Sequence, residues 1–317
     1  MRKGFLTIFS FTCIMALGAT HAAGQYSHLR EPLTTGEIRQ IKGLNIMGEK
    51  QYLMNGTEKQ LHAIKLYTRE GFLYANMDYN NRTYYKYDEK GRMVVMLDSV
   101  RASDGFKPEE YHFIHDPVHG KLVYVKFPSD QGSSFTYNRT NRTLTEVAEM
   151  GGMTLKNYYT YNEYGFLTSE KHVFPSGLVQ RSRELVYDTL ERVIGETEVI
   201  AYPMGQHDSA IYKYTYDSAG RLTTVLIQTM HLKEGEEPGM AFDMESKDPK
   251  KLTVETYTYT YDARGNRTSE HYRSTKPEAD YVRQWEYNER GEKIEETELD
   301  AAMVPVRAYV FEYIYWE

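Results

Sequence analysis

One short phrase recurs along this chain and narrows what it can fold into. Residues 214–222 read YTYDSAGRL, and residues 259–265 repeat the phrase as YTYDARG. Alignment on it recovers YTREGFL from Tyr67, YKYDEKGRM from Tyr85, FIHDPVHGKL from Phe113, FTYNRTNRTL from Phe135 and YTYNEYGFL from Tyr159. LVYDTLERV from Leu185, WEYNERGEK from Trp285 and a truncated YIYW from Tyr313 complete a set of about ten. Successive second aromatic positions lie mostly 20 to 29 residues apart, with one 45-residue step between Tyr216 and Tyr261. A period of this size marks one supersecondary unit repeated and stacked on its neighbours.

Each copy reads as a β-hairpin. Asp217 opens a type I turn, and Gly220 supplies the positive φ of a glycine bulge. The same turn places fall at Asp88 and Gly91, Asp116 and Gly120, Asn162 and Gly165, Asp188, Asp262 and Gly265, and Asn288 and Gly291. That register sets Asp217 opposite Arg221, Tyr216 opposite Leu222, Tyr214 opposite Thr224 and Tyr212 opposite Leu226. In other copies it sets Tyr87 opposite Met93, Tyr85 opposite Val95 and Tyr161 opposite Leu167. Side chains alternate along a strand, so one face is aromatic and aliphatic and the other carries Lys213, Thr215, Asp217, Arg221 and Thr223. The repeat aromatics Tyr85, Tyr87, Tyr159, Tyr161, Tyr214, Tyr216, Tyr259, Tyr261, Trp285 and Tyr287 then share that first face. The composition agrees: Tyr, at 29 residues, outnumbers Phe at 12 and Trp at 2, and tyrosine suits a half-buried pleated face. A lone hairpin is unstable, so neighbours pair edge to edge. The expected fold is all-β: consecutive hairpins in one long, twisted and curled antiparallel sheet, an open spiral or partial barrel.

The phrases YKYDEKGRM, YTYDSAGRL and YTYDARGNR resemble the YD repeats of bacterial RHS proteins, over roughly residues 61–317. The resemblance implies strands that spiral into a shell, which in polymorphic toxins encloses a C-terminal toxin domain. This chain has about ten copies where such a shell needs several times more, and its last residues, VFEYIYWE, are repeat strand. The expectation is a small exported form without the toxin domain.

Met1, Arg2 and Lys3 precede an apolar run from Phe5 to Leu17 and then GATHAAGQ, the pattern of a secretory signal peptide over residues 1–24. The run is shorter than a spanning helix needs. The only cysteine, Cys13, lies within it, behind a poor match to a lipoprotein box, so the mature chain is expected to be a soluble export product without a thiol. Removal of the leader leaves 36 basic against 45 acidic residues, a balance of −9, which argues against a nucleic-acid partner or insertion into an anionic membrane.

Residues 25–60 read as an irregular N-terminal cap, within which Thr34 and Glu37 fit a capping box for one short helix. Residues 232–251, LKEGEEPGMAFDMESKDPKK, read as a solvated acidic insertion in the 61–317 repeat domain. His112, His115, Asp116 and His119 form the one obvious metal candidate, but histidines three apart in a strand face opposite sides. No HExxH, GxSxG, GxxxxGK or GxGxxG occurs, so neither a catalytic site nor a cofactor or metal is expected. Extra aromatics such as Tyr158, Tyr202 and Tyr272, with Trp285 and Trp316, are candidates for exposed contact. Ser99, Thr189, Ser209 and Ser218 follow aspartates in tripeptides that match an acceptor pattern for bacterial O-glycosylation. The function expected is a non-enzymatic repeat scaffold binding a glycan or an envelope or extracellular protein. A hydrolase with paired carboxylates and a ligand-free spacer are the alternatives.

Overall fold

The structure, a computed structural model, describes residues 34–103, 105–128, 131–150, 152–202, 207–232, 252–275 and 279–317. The expected signal peptide and residues 233–251 of the acidic insertion lie outside the described residues.

A helix, α1 (Thr35–Gly43), precedes twenty strands. They are β1 (Ile46–Asn55), β2 (Glu58–Tyr67), β3 (Leu73–Asp78), β4 (Asn81–Tyr87), β5 (Met93–Ala102), β6 (Gly105–His115), β7 (Leu122–Lys126), β8 (Gly132–Asn138), β9 (Thr143–Met150) and β10 (Met153–Tyr161). Then follow β11 (Leu167–Val173), β12 (Val179–Tyr187), β13 (Val193–Ala201), β14 (His207–Tyr216), β15 (Leu222–Leu232), β16 (Leu252–Tyr261), β17 (Arg267–Ser274), β18 (Tyr281–Tyr287), β19 (Lys293–Asp300) and β20 (Pro305–Tyr315).

Each strand pairs antiparallel with the next, and β20 returns to β1 with Lys50 opposite Glu312 and Gln51 opposite Phe311. The sheet is therefore a closed 20-stranded barrel, which corrects the expectation of an open spiral or partial barrel. The physical reason lies in residues 25–60. They hold no copy of the phrase, yet they supply α1 and β1, and β1 covers the last strand's edge, where an irregular cap would leave it open. Asn45 ties the seam: its Nδ2 donates to the Trp316 carbonyl at 2.7 Å and its own carbonyl accepts from the Trp316 N–H at 3.1 Å.

The phrase builds one turn many times. Asp217 N–H donates to the Arg221 carbonyl at 2.9 Å and Gly220 N–H to the Asp217 carbonyl at 3.0 Å. The Asp217 carboxylate accepts from the Ala219 and Arg221 N–H groups at 2.9 Å each and from Arg221 Nε at 2.7 Å. Gly220 has φ 80°, and where the glycine is lost Glu191 takes its place at φ 64°. Tyr216 sits opposite Leu222, but the next rungs are Thr215–Thr224, Tyr214–Val225 and Tyr212–Ile227, one residue beyond the expected register. Tyr85 likewise faces Met96 instead of Val95. Thr223 is the extra residue of a bulge that follows the turn, and the shift places the buried Val225 and Ile227 on the tyrosine face.

The bulge also explains the tyrosine. In six copies the second aromatic of the phrase, and in the truncated copy Tyr313, reaches back one hairpin and donates its hydroxyl to the carbonyl of the first residue after that hairpin's turn. The pairs are Tyr87 to Leu73 (2.8 Å), Tyr137 to Leu122 (3.0 Å), Tyr187 to Leu167 (2.7 Å) and Tyr216 to Val193 (2.8 Å). Tyr261 to Leu222 (2.7 Å), Tyr287 to Arg267 (2.8 Å) and Tyr313 to Lys293 (2.8 Å) continue them. His115 fills the tyrosine's place with Nε2 2.9 Å from the Met93 carbonyl, which requires the proton on Nε2. Each bond satisfies an acceptor at a broken rung of the ladder and contributes about 1 kcal/mol.

Phrase turns follow every even-numbered strand up to β18, so all nine lie on one rim, and the ten connections after odd-numbered strands form the other. Basic side chains link the phrase rim sideways. Arg221 Nη1 reaches the Asp262 carbonyl at 3.3 Å, Arg264 Nη1 the Glu289 carbonyl at 2.6 Å, and Arg290 Nη2 the Leu44 carbonyl just past α1 at 2.7 Å. Thr34 and Glu37 form the capping box that starts α1. Ile41 of α1 and the following Leu44 pack against the buried cluster of Ile46, Tyr67 and Leu73, as Tyr85 and Tyr313 also do, so the helix sits over part of the phrase end.

Candidate functional site

The inner wall changes character along the barrel axis. Along β6, Lys107 and Glu109 are exposed, Tyr111 is half-buried and Phe113 is buried; along β20 the series Arg307, Tyr309, Phe311 repeats this gradient. The inner wall is buried toward the phrase end and exposed toward the opposite rim, which is the barrel's mouth. One arc of the wall, β5 to β10, is filled by Met93, Phe113, Leu122, Val125, Phe135, Leu144 and Tyr159.

The other arc carries charge. Arg181 and Arg183 alternate along β12, Glu196 and Glu198 along β13, and the alternation puts all four on the inner face. Arg183 binds Glu196 in a fork, Nε to Oε1 at 2.5 Å and Nη2 to Oε2 at 2.9 Å, and stands 3.7 Å from Glu170. Arg181 Nε meets Glu198 at 2.5 Å and His172 Nε2 meets Glu170 at 2.5 Å. Tyr212 and Tyr214 donate to Glu198 at 2.9 Å and Glu196 at 3.0 Å. Farther round, Arg283 lies 3.4 Å from Glu270, 3.7 Å from Glu296 and 3.0 Å from Glu298.

Burial works against ionisation of Glu170, but the His172 hydrogen bond and the charges of His172, Arg181 and Arg183 outweigh it and hold its pKa below the usual carboxylate value. Burial likewise opposes the charge of Glu296, and Lys293 and Arg283 again pull its pKa down. Burial, then Glu198 and Glu196 respectively, push the Tyr212 and Tyr214 phenols far up, so both stay neutral donors. The wall thus carries a network of carboxylates, guanidinium groups and phenols, in which buried Arg283 Nε makes no hydrogen bond and meets Glu296 only at ion-pair distance.

Exposed apolar side chains stand at the mouth, as Val118, Tyr164 and Leu190 do at the phrase turns. Tyr79 of the β3–β4 connection is 71% exposed, and Val100, Met153, Leu178, Tyr202 and Met303 protrude from other connections or strand ends. Leu61, Val179, Val304 and Val306 add to the ring. Asp300 and Val304 close the same turn as the phrase, with Met303 in the glycine place at φ 62°, a conformation that costs a non-glycine residue about 1–2 kcal/mol. Beside it His271, Tyr272, Arg273, Asp280, Tyr281 and Asp300 border a cleft of about 510 Å³.

The turn residues Asp88, Gly91, Asp116, Gly120, Asn162, Gly165, Asp188, Asp217, Gly220, Asp262, Gly265, Asn288 and Gly291 all lie on the phrase rim, away from the mouth. Tyr85, Tyr87, Tyr159, Tyr161, Tyr214, Tyr216, Tyr259, Tyr261, Trp285 and Tyr287 line the inner wall. The histidine-bearing copy is dispersed. His115 faces in to Met93, His112 pairs with outward Lys126, and His119 stays at the turn, 3.2 Å from Asp116. Among the described residues no cluster of three or more potential metal ligands occurs. Tyr158 is exposed on the outer wall, Tyr202 at the mouth, and Tyr272 is buried. Ser99 and Ser209 are buried, which keeps both hydroxyls from a transferase in the folded chain, whereas Thr189 and Ser218 are exposed. Sequence reasoning missed Arg183, Glu170 and Met303. The Arg-x-Arg and Glu-x-Glu pairs at 181–183 and 196–198 were the available signal.

No protein-family model matches the chain, and no curated protein matches it. Solved structures that it is similar to include a TcdB2-TccC3-Cdc42 complex at 14% identity and TM-score 0.32, over 82% of this chain and 18% of the other. A porin-like protein from Bacteroides uniformis is 12% identical at TM-score 0.37, over 85% of this chain and 98% of the other. One from Bacteroides vulgatus is 10% identical at TM-score 0.27, over 85% and 98%. At these values the similarities carry no functional argument.

Proposed function

We propose that this chain is an exported, non-enzymatic β-barrel scaffold, associated with the cell envelope and bathed in water, that binds a protein at its open mouth. The observation that carries this reading is the asymmetry of the inner wall: buried toward the phrase end, where α1 sits, and exposed toward the opposite rim, on which Tyr79, Met153, Leu178 and Met303 stand exposed. The outer wall supports water as its medium. Lys86, Lys126, Lys156, Lys171 and Lys213 project from it and are exposed, and a lysine facing lipid costs about 2–4 kcal/mol at the bilayer midplane.

Protein is favoured over glycan because the inner aromatic faces are already covered. Tyr272 stacks on Tyr281 at 5.1 Å and meets Tyr257 at a tilt at 4.9 Å, Tyr212 lies against Tyr214 at 6.5 Å, and arginines cover Tyr216, Tyr259 and Tyr261. The lowered pKa values of Glu170 and Glu296 weigh against a hydrolase, since a general acid needs its carboxyl raised. The test is to present residues 25–317 to arrayed extracellular proteins and glycans. The expected result is protein capture without turnover, weakened at least tenfold by Tyr79→Glu with Met303→Glu and unchanged by Val118→Glu at the phrase rim. Release of reducing sugar, or capture indifferent to the mouth variant, would sink the reading.

A further inference from the structure

In three copies of the phrase the arginine beside the turn is held by the turn itself. Arg92, Arg192 and Arg221 each donate Nε to their own turn's aspartate at 2.7 Å. The copies at residues 262–266, DARGN, and 288–292, NERGE, carry the arginine ahead of the glycine instead of after it. Asn266 and Glu292 stand where the arginine would be and close the turn without it. Asn266 Nδ2 donates to the Asp262 carboxylate at 2.8 Å, and Glu292 accepts from Asn288 Nδ2 at 2.6 Å. Arg264 and Arg290 are thereby released from their own turns.

Both line one cleft of about 460 Å³ on the phrase rim, with Gln40 and Gly43 of α1 on one side and Asn266 and Glu289 on the other. Each guanidinium is held in place by a backbone carbonyl: Arg264 Nη1 donates to Glu289 at 2.6 Å and Arg290 Nη2 to Leu44 at 2.7 Å. Arg290 also lies over the Tyr315 ring, 4.3 Å from its centroid, and its Nε stands 3.5 Å from Glu292. Among the described residues Arg264 has no carboxylate within ion-pair distance. These contacts fix two planar forks and leave most of their N–H donors to the cleft.

We infer that this cleft binds a small organic acid by its carboxylate. A guanidinium fork matches a carboxylate edge with two parallel hydrogen bonds. Two arginines against the one carboxylate of Glu289 leave a single net positive charge in the lining, which suits one carboxylate better than a doubly charged phosphate. Asn266 Nδ2 is engaged by Asp262, so its Oδ1 remains an acceptor, and with Glu289 it suits hydroxyl or ammonium groups beside the acid. The volume lies within the range of about 300–1,000 Å³ usual for small-molecule sites. The cleft lies at the opposite end of the barrel from the mouth and is independent of the protein-binding reading.

Ligand-observed nuclear magnetic resonance titration of residues 25–317 tests this with D-gluconate, whose hydroxyls flank the acid, and L-glutamine, whose ammonium does. At least one should bind at least tenfold more tightly than sorbitol, the neutral counterpart of gluconate, and the stronger of the two identifies the donor the cleft prefers. Arg264→Gln should weaken that binding at least tenfold while the Arg290–Leu44 link keeps α1 in place. Gly43→Trp should weaken it as much with both arginines intact, because Gly43 lines the cleft and a Cβ there meets nothing within 4 Å. Circular dichroism should be unchanged in both variants. Arg221→Gln, and Tyr79→Glu with Met303→Glu at the mouth, should bind as the native chain does. Neither acid binding better than sorbitol, or binding indifferent to Arg264→Gln and Gly43→Trp, overturns the inference. Displacement of the bound acid by equimolar inorganic phosphate overturns the carboxylate assignment.

Discussion

Arg183→Met is expected to destabilise the barrel by about 3–5 kcal/mol, the cost of stripping the cation from a buried ion network. Glu170 and Glu196 are both buried, and the Arg183 fork is the only cation within 4 Å of Glu196 among the described residues. Methionine keeps much of the side-chain volume, so the loss measures charge more than packing. The pH dependence separates the two. In the native chain the Glu170 pKa is held down, so its contribution is present above the unfolded value of about 4.3 and is lost as pH falls through the lower folded value. Without the guanidinium the buried Glu170 carboxylate loses one of the charges that hold its pKa down, so it is penalised at neutral pH and relieved once protonated. Denaturation by urea at pH 7 and pH 4 should therefore show a larger penalty at pH 7. A penalty equal at both values would mean that Arg183 acts by packing alone.

Gly71→Val is expected to cost about 2–4 kcal/mol, combining a left-handed backbone that a β-branched residue resists with overpacking against backbone. Gly71 has φ 90°, and a Cβ there would stand 2.4 Å from the Ile38 carbonyl oxygen of α1. Since that oxygen belongs to the helix backbone, α1 itself must move. Hydrogen exchange should accelerate across residues 35–43 and around Ile46 and Tyr67, against which Ile41 and Leu44 pack. Gly56→Val provides the contrast, because Gly56 also has positive φ but meets nothing within 4 Å. It should pay the backbone cost and leave α1 protected.

The hairpins were legible because their information is local. Asp217, Gly220 and Arg221 specify a turn within five residues, and alternation assigns Tyr214 and Tyr216 to one face. The bulge was not legible, because Thr223 looks like any strand residue; its position is set by the carbonyl of Leu222 meeting Tyr261 one hairpin on. Closure was hidden for a related reason. Residues 46–55, IMGEKQYLMN, carry no phrase, and their partners on β20 lie more than 250 positions away. Of the site, the inner tyrosines could be assigned from sequence, whereas the Arg183 network depends on which strands become neighbours. Met303 was hidden because its turn has the phrase's hydrogen bonds and lacks its glycine.

The central claim is that β20 returns to β1, and a cysteine pair across that seam tests it most directly. Lys50→Cys with Glu312→Cys places two thiols opposite each other on adjoining antiparallel strands. At such rungs Cα atoms lie about 4.5–5.5 Å apart, within disulfide range. A chain starting at residue 25 has no other cysteine, since Cys13 is the only one. Mild oxidation in dilute solution, followed by proteolysis and mass spectrometry, should recover one intramolecular crosslink joining the first and last strands. A control with Lys50→Cys and Lys213→Cys, on the distant β14, should remain reduced. Free thiols in the seam pair under the same conditions would contradict closure and return the sheet to an open spiral.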